Sequence, residues 1–261
     1  MTSLRVITVL LCSLFAAHVQ AAEPLRLVGD DFCPYNCDAA NGKPGYIVEV
    51  LEEIFATQGI AVKYQIKPWS RAVRMVAKGN ADILLANTYN SAPDPRLQLV
   101  MGEDSTCFLT RSDVSWRFTD MADRYRQRLG VIQGYHYDSG GPLDQHLRSN
   151  NPLVYQAKGE SALRSLLLML MQQRIDLVLD NCNVLKAKVS KMDLGQRTQI
   201  TGVLPGYRAD LHIAFSPADP EATHLMNIVR EGVADMRRTG RLAAILQRYS
   251  VTDWEQTATT P

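Results

Sequence analysis

The chain has 261 residues, a formal net charge of +1 and 46% hydrophobic residues, a globular composition sufficient for one large domain or two lobes. Near-neutrality, with no basic run longer than MRRTGR, excludes nucleic acid as a partner.

At the N-terminus Arg5 precedes an apolar run over residues 6–17, and Val19 and Ala21 hold the small-residue positions before a cleavage point. This predicts a secretory signal peptide over residues 1–21, cut after Ala21. The run is too short to span a bilayer. Cys12 makes no lipidation site, because Leu11 stands where a small residue is needed. No later segment is long and apolar enough to cross a membrane, so the mature chain is expected to be exported and soluble.

Four cysteines follow the leader: Cys33, Cys37, Cys107 and Cys182. An even number in an oxidising compartment points to disulfides, with three pairings open. In DDFCPYNC two of them stand four apart, which is not the C-x-x-C of thiol oxidoreductases. Zinc would need more Cys or His close by than five dispersed histidines offer. The stretch reads as a staple on a loop, and neither metal nor cofactor is expected.

From Gly45, GYIVEVLEEIFATQGI places Ile47, Val50, Leu51, Ile54 and Phe55 on one helical stripe, and Gly59 suits the position just past the helix end. AVKYQIK alternates as a strand. WSRAVRMVAKG returns to helical spacing through Trp69, Ala72, Val73 and Val76, and ADILLA is a short buried strand. RLGVIQG and LVYQA are further strands, ESALRSLLLMLMQQR is a helix with Leu163, Leu166, Leu167 and Leu170 on one face, and IDLVLDN is a strand. ADILLAN and IDLVLDN close the same unit: amphipathic helix, turn, Asp, apolar strand, Asn. Two α/β lobes of similar plan follow from this repeat, with a single doubly wound sheet as the alternative. In the tail, Asp219 and Pro220 read as N-cap and first residue of a helix to about Arg238, with a second helix from Gly240 to near Tyr249.

LRLVGDDFCPYN, the GKPGYIVEVLEEIFATQGIAVKYQIKPWSRAVRMVAKGNADILLA run, RLGVIQGYHYD, RIDLVLDN and MRRTGRLAAILQRY together resemble extracellular solute-binding proteins of family 3, the polar amino-acid class. The likeness spans nearly the whole mature chain through the order and spacing of its landmarks. It implies the periplasmic-binding-protein-like fold: two α/β lobes joined by two hinge strands, with a ligand cleft between them. Lobe 1 would comprise residues 22–109 and 209–261, lobe 2 residues 110–208, and the hinges would lie near CFLTRSD and ADLHIAFS.

The resemblance also implies roles. Arg96 would grip a ligand carboxylate with its planar fork, although NTYNSAPDPR is longer than the family's usual run. Asn87, Thr88, Tyr89 and Ser91 would supply polar partners. Asp31 stands at the end of the first strand, and Phe32, Tyr35 and Trp69 would pack on the ligand, with Arg71 nearby. From lobe 2, Gln133, Gly134 and Tyr135 would present backbone N–H groups. Asp180 would receive an ammonium group, one position earlier than the family pattern, where Asn181 stands instead. A Cys33–Cys37 bridge would pre-order the first loop, and Cys107–Cys182 would tie a hinge strand to lobe 2.

The expected protein is a monomeric periplasmic carrier that hands a small polar ligand, an amino acid or relative, to an ABC permease in the inner membrane. Two rivals share the fold: a sensor domain for a membrane signalling partner, and an enzyme resembling cyclohexadienyl dehydratases, with Asp31, His136, Asp138 or Asp180 as the acid.

Overall fold

The computed structural model of the chain describes residues 23–38, 42–88, 91–117 and 126–257. The expected leader over 1–21 and Tyr89 lie outside the described residues. No helix among the described residues is long and apolar enough to cross a membrane.

The first lobe is entered through β1 (Leu25–Gly29), α1 (Tyr46–Thr57), β2 (Val62–Ile66), α2 (Trp69–Ala77), β3 (Ile83–Thr88) and β4 (Gln98–Asp104). The second holds β5 (Thr106–Arg111), β6 (Leu129–Ile132), α3 (Pro142–Arg148), β7 (Val154–Ala157), α4 (Ala162–Met171), β8 (Leu177–Asn181), α5 (Cys182–Lys191) and β9 (Thr198–Val203). The chain then returns through β10 (Ala209–Phe215), α6 (Ala222–Arg238), α7 (Arg241–Arg248) and α8 (Trp254–Thr257).

There are two five-stranded sheets, ordered β2-β1-β3-β10-β4 and β7-β6-β8-β5-β9. In each, the first three strands are parallel and the next is antiparallel to both its neighbours. The repeated Asp of the two units explains part of this likeness. Asp82 accepts from the Arg26 backbone N–H at 2.7 Å and from its guanidinium at 2.6 Å and 3.1 Å. Asp176 does the same for Arg128 at 2.9, 2.6 and 2.9 Å. One carboxylate in each lobe thus fixes the register of the central parallel pair, with fork geometry that suits guanidinium.

Helices α1 and α4 bury the stripes that their spacing predicts, Ile47, Val50, Leu51, Ile54 and Phe55 on the first and Leu163, Leu166, Leu167 and Leu170 on the second, while α2 buries Trp69, Ala72 and Val76 and leaves Val73 half-buried. At the end of α1, Gly59 takes φ 69°, the left-handed value that ends a helix there.

Two boundaries differ from expectation. The chain changes sheet at Ser105, because β5 pairs with β8 and β9 along its whole length; residue 109 lies inside that strand. Helix α6 begins at Ala222 rather than beside Asp219. The Asp219 carboxylate accepts from the Glu221 N–H at 2.9 Å and so holds a turn ahead of the helix.

Candidate functional site

In an open parallel sheet, polar residues collect beyond the carboxyl ends of the strands. Here the ends of β1, β3, β6 and β8 meet across the gap between the lobes, and the meeting is close. Trp69, the first residue of α2, donates its indole N–H to the Gly134 carbonyl at 3.2 Å. Tyr135 reaches from lobe 2 between Trp69 and Phe32, edge-on to each, with ring centroids 5.8 Å and 6.0 Å away. Its hydroxyl donates to Asp30, and Lys188 of α5 pairs with Asp31. Asn181 donates its side-chain N–H to Asp104 at 2.8 Å.

The loop after β1 is fixed before it meets lobe 2. The structure pairs Cys33 with Cys37 and Cys107 with Cys182, as the resemblance implies. The first N–H groups of a helix have no partner within it; those of Tyr46 and Ile47 on α1 donate to the Pro34 and Tyr35 carbonyls at 3.0 Å each. Gly45 permits that approach, because a Cβ there would stand 2.4 Å from the Tyr35 oxygen.

Three carboxyls gather at the junction. Burial pushes Asp30 up to about 6, against the hydrogen bond from Tyr135. Burial also raises Asp104. Asp180 is raised most, by burial first and then by Asp30 and Asp104 nearby. Its Oδ1 accepts the Asn181 N–H at 2.7 Å. Its Oδ2 is buried and has no hydrogen-bond partner among the described residues.

The cleft cavity itself is lined by Phe32, Trp69, Thr88, Asp104, Tyr135 and Leu211 and measures about 30 Å³, room for about one water. Trp69 also lines a second cavity of about 320 Å³, which Asp30, Arg71, Arg74, Gln133 and Lys158 share. Among the described residues no group of three or more His, Cys, Asp or Glu side chains is placed to hold a metal ion.

The sequence candidates divide accordingly. Phe32, Trp69, Thr88 and Tyr135 come together at the cleft cavity, Asp180 is buried close enough to act on Tyr135 but lines neither of these two cavities, and Arg71 and Gln133 line the neighbouring cavity. Gly134 contributes its carbonyl rather than its N–H. Asp31 is engaged by Lys188. Tyr35 packs behind Phe32 and donates to the Glu103 carbonyl at 2.9 Å, so it supports the loop. Asn87 donates to the His212 carbonyl at 3.0 Å, across to the return strand. Asn181 caps α5, accepting from Asn183 and Val184.

Arg96 is not brought to the cleft. Its side chain is 87% exposed and forks onto Asp94, two residues back in the same turn. Asp138 is no cleft acid either, because its two oxygens accept the Leu143 and Asp144 N–H groups at the start of α3. Sequence reasoning missed Asp30, Asp104, Arg74, Lys158 and Lys188. Asp30 follows β1 directly, so its place at a strand's carboxyl end was the signal for it.

No protein-family model matches the chain, and no curated protein matches it. Solved structures do. A histidine kinase sensor domain with similarity to periplasmic binding proteins superposes with TM-score 0.70 at 18% identity, covering 88% of this chain and 96% of that one. A substrate-binding protein of an ABC uptake transporter from Streptococcus pneumoniae, with bound histidine, gives TM-score 0.71 at 16% identity, covering 88% and 94%. An ancestral arginine-binding protein bound to arginine gives 0.69 at 16%, covering 87% and 97%. The chain therefore has the periplasmic-binding-protein-like fold.

Proposed function

We propose that the chain is an exported solute-binding protein of the family 3, polar amino-acid class, whose lobes close on an amino acid or a related zwitterion. The observation that carries this reading is the Asp180 carboxyl. A buried carboxylate oxygen without a donor is costly, and Asp180 Oδ2 is such an atom at the lobe junction. A ligand ammonium would supply N–H donors and opposite charge together. Phe32, Trp69 and Tyr135 offer aromatic faces on which a ligand stem or cation can rest. A cavity of about 30 Å³ is too small for an amino acid, so the lobes part to admit one and close over it by hinge motion. The hinges are the crossings at Ser105 and between β9 and β10.

Binding without turnover fits the local chemistry, since Asp138 is occupied as a helix cap and His136 Nδ1 lies 2.7 Å from the Arg148 guanidinium. Two disulfides suit an oxidising compartment, in line with a leader cut after Ala21 and a periplasmic monomer. Hand-over to an ABC permease is the leading role. The likeness to a kinase sensor domain favours signalling as the second reading. A kinase gene beside this one would select signalling, and permease and ATPase genes would select transport.

The test is a thermal-shift series on the mature chain with amino acids and their des-amino carboxylate analogues. A true ligand raises the melting temperature with the logarithm of its concentration. Amino acids should stabilise and the analogues should not; stabilisation by both alike contradicts the ammonium role of Asp180.

A further inference from the structure

We infer that the cleft has a second, cationic subsite, formed by Arg71 and Arg74 of lobe 1 with Lys158 of lobe 2, and that its ligand carries an extra anionic group. The inference rests on the zwitterion reading and names its substrate class: an acidic amino acid, or a close relative with a carboxylate or phosphate arm.

The three cations line one cavity of about 320 Å³ together with Asp30. Arg71 and Arg74 stand three apart on α2, which puts them on one helical face. Lys158 follows β7 on the opposite lobe, and Gly159, on the same cavity, leads into the start of the ten-residue helix α4. A helix start adds partial positive charge. Among the described residues no carboxylate pairs with any of the three cationic heads. Asp30, the acid on that cavity wall, is raised by burial and accepts from Tyr135.

Like charges brought together across a closing interface oppose the closure. Here closure gathers two guanidinium groups and an ammonium on a cavity whose acid, Asp30, is engaged by Tyr135 and not by any of the three. An anion between the lobes removes that repulsion and ties the cations of both lobes to one group, so it favours the closed arrangement by differential binding. The cleft is then bipolar. Asp180 is buried at the lobe junction with an oxygen unpartnered among the described residues for the ammonium, and the three cations line the second cavity for the acidic arm. A ligand with a cationic side chain would meet repulsion at that second wall.

The experiment is calorimetric titration of the mature chain with matched pairs: glutamate and glutamine, aspartate and asparagine, phosphoserine and serine. Within at least one pair the anionic member should bind about tenfold tighter, the ratio that about 1.4 kcal/mol provides. The aspartate and phosphoserine arms separate carboxylate from phosphate as the anion. In Arg74→Ala and in Lys158→Ala that ratio should shrink several-fold, and raised salt should shrink it in the parent. The inference is overturned if the neutral members bind as tightly, if arginine or lysine binds tightest, or if both variants keep the full ratio; each leaves the zwitterion reading standing. Glutarate binding as tightly as glutamate would leave the cationic subsite and remove the ammonium role. Failure of every anionic compound to bind at millimolar concentration rejects the subsite.

Discussion

The loops after β1 and after β6 hold equivalent places in two sheets of the same strand order, yet they are built by opposite means. The first is fixed covalently by Cys33–Cys37 and by N–H groups of α1, and its carboxyl, Asp30, is held in its less comfortable, buried form. The second has no disulfide. Two acids organise it: Asp138 caps α3, and Asp144 accepts the Tyr137 and Gly140 N–H groups at 2.8 Å and 2.7 Å. For Asp144, burial alone would raise the carboxyl, but the bonds from His136, Tyr137 and Gly140 outweigh it and hold it below the ordinary range. One fold position can thus be rigidified by a staple, leaving its acid free to be strained, or by acids that accept backbone N–H groups.

Either loop can be perturbed by a single substitution. The largest effect is expected from Asp144→Ala, which leaves the buried Tyr137 N–H and the part-buried Gly140 N–H without their acceptor. At about 1–3 kcal/mol for each lost partner, the loss is at most about 2–6 kcal/mol, read as a lower urea midpoint. Because the folded Asp144 is depressed, its contribution is present above the unfolded carboxylate range and disappears as pH falls through the folded value. The parent should therefore lose more stability on acidification than the variant. Equal losses would contradict the role given to Asp144.

Asp30→Asn comes next and has the opposite sign. Asp30 is raised from an ordinary 3.8 to about 6, so the folded state holds its proton more tightly than the unfolded chain does. Its stability is present below about 4 and lost as pH rises through about 6. Removing the charge should stabilise the protein at pH 7.5 by up to an order of 3 kcal/mol and by little at pH 4. A variant that melts lower than the parent at pH 7.5 would show that the ionised Asp30 is not strained. Together the two substitutions sharpen the contrast into opposite pH profiles for two equivalent loops.

How much of this was readable in the sequence depends on where the signal resided. Helices α1, α2 and α4 carry apolar stripes, and the paired units ADILLAN and IDLVLDN disclosed two lobes because Asp82 and Asp176 do the same register work. Helix α5 went unseen because CNVLKAKVSK buries little beyond Val184 and Leu185; its start is fixed by the Asn181 cap instead of a stripe. Strand β4 follows a turn-rich loop, and its pairing with β10 lies more than 100 residues along the chain, which no local pattern reveals. Near the cleft, local reading reached segments that meet at the lobe junction but not always the residue that lies there. It chose Asp31 beside Asp30, and Arg96 by its place after β3, whereas Asp94 keeps Arg96 on the surface. Charges contributed jointly by α2 and the β7–α4 turn become a cluster only once the lobes are docked.

If Asp180 receives a ligand ammonium inside the closed cleft, as proposed, a single calorimetric titration should show it. The amino acid that most stabilises the parent is titrated into the parent and into Asp180→Asn, in buffers of different ionisation enthalpy. Burial raises the Asp180 carboxyl and an ammonium partner would lower it again, so binding to the parent should release protons at a pH where the unliganded carboxyl is part-protonated. The variant should release none and should bind about thirty-fold or more weaker, since losing one member of a buried charge pair costs about 2–5 kcal/mol. Its unliganded melting should be unharmed, because Asn has the same shape and Asp180 Oδ2 has no hydrogen-bond partner to lose among the described residues. Binding within about threefold of the parent, a difference under about 1 kcal/mol, with the same proton release, would contradict the account.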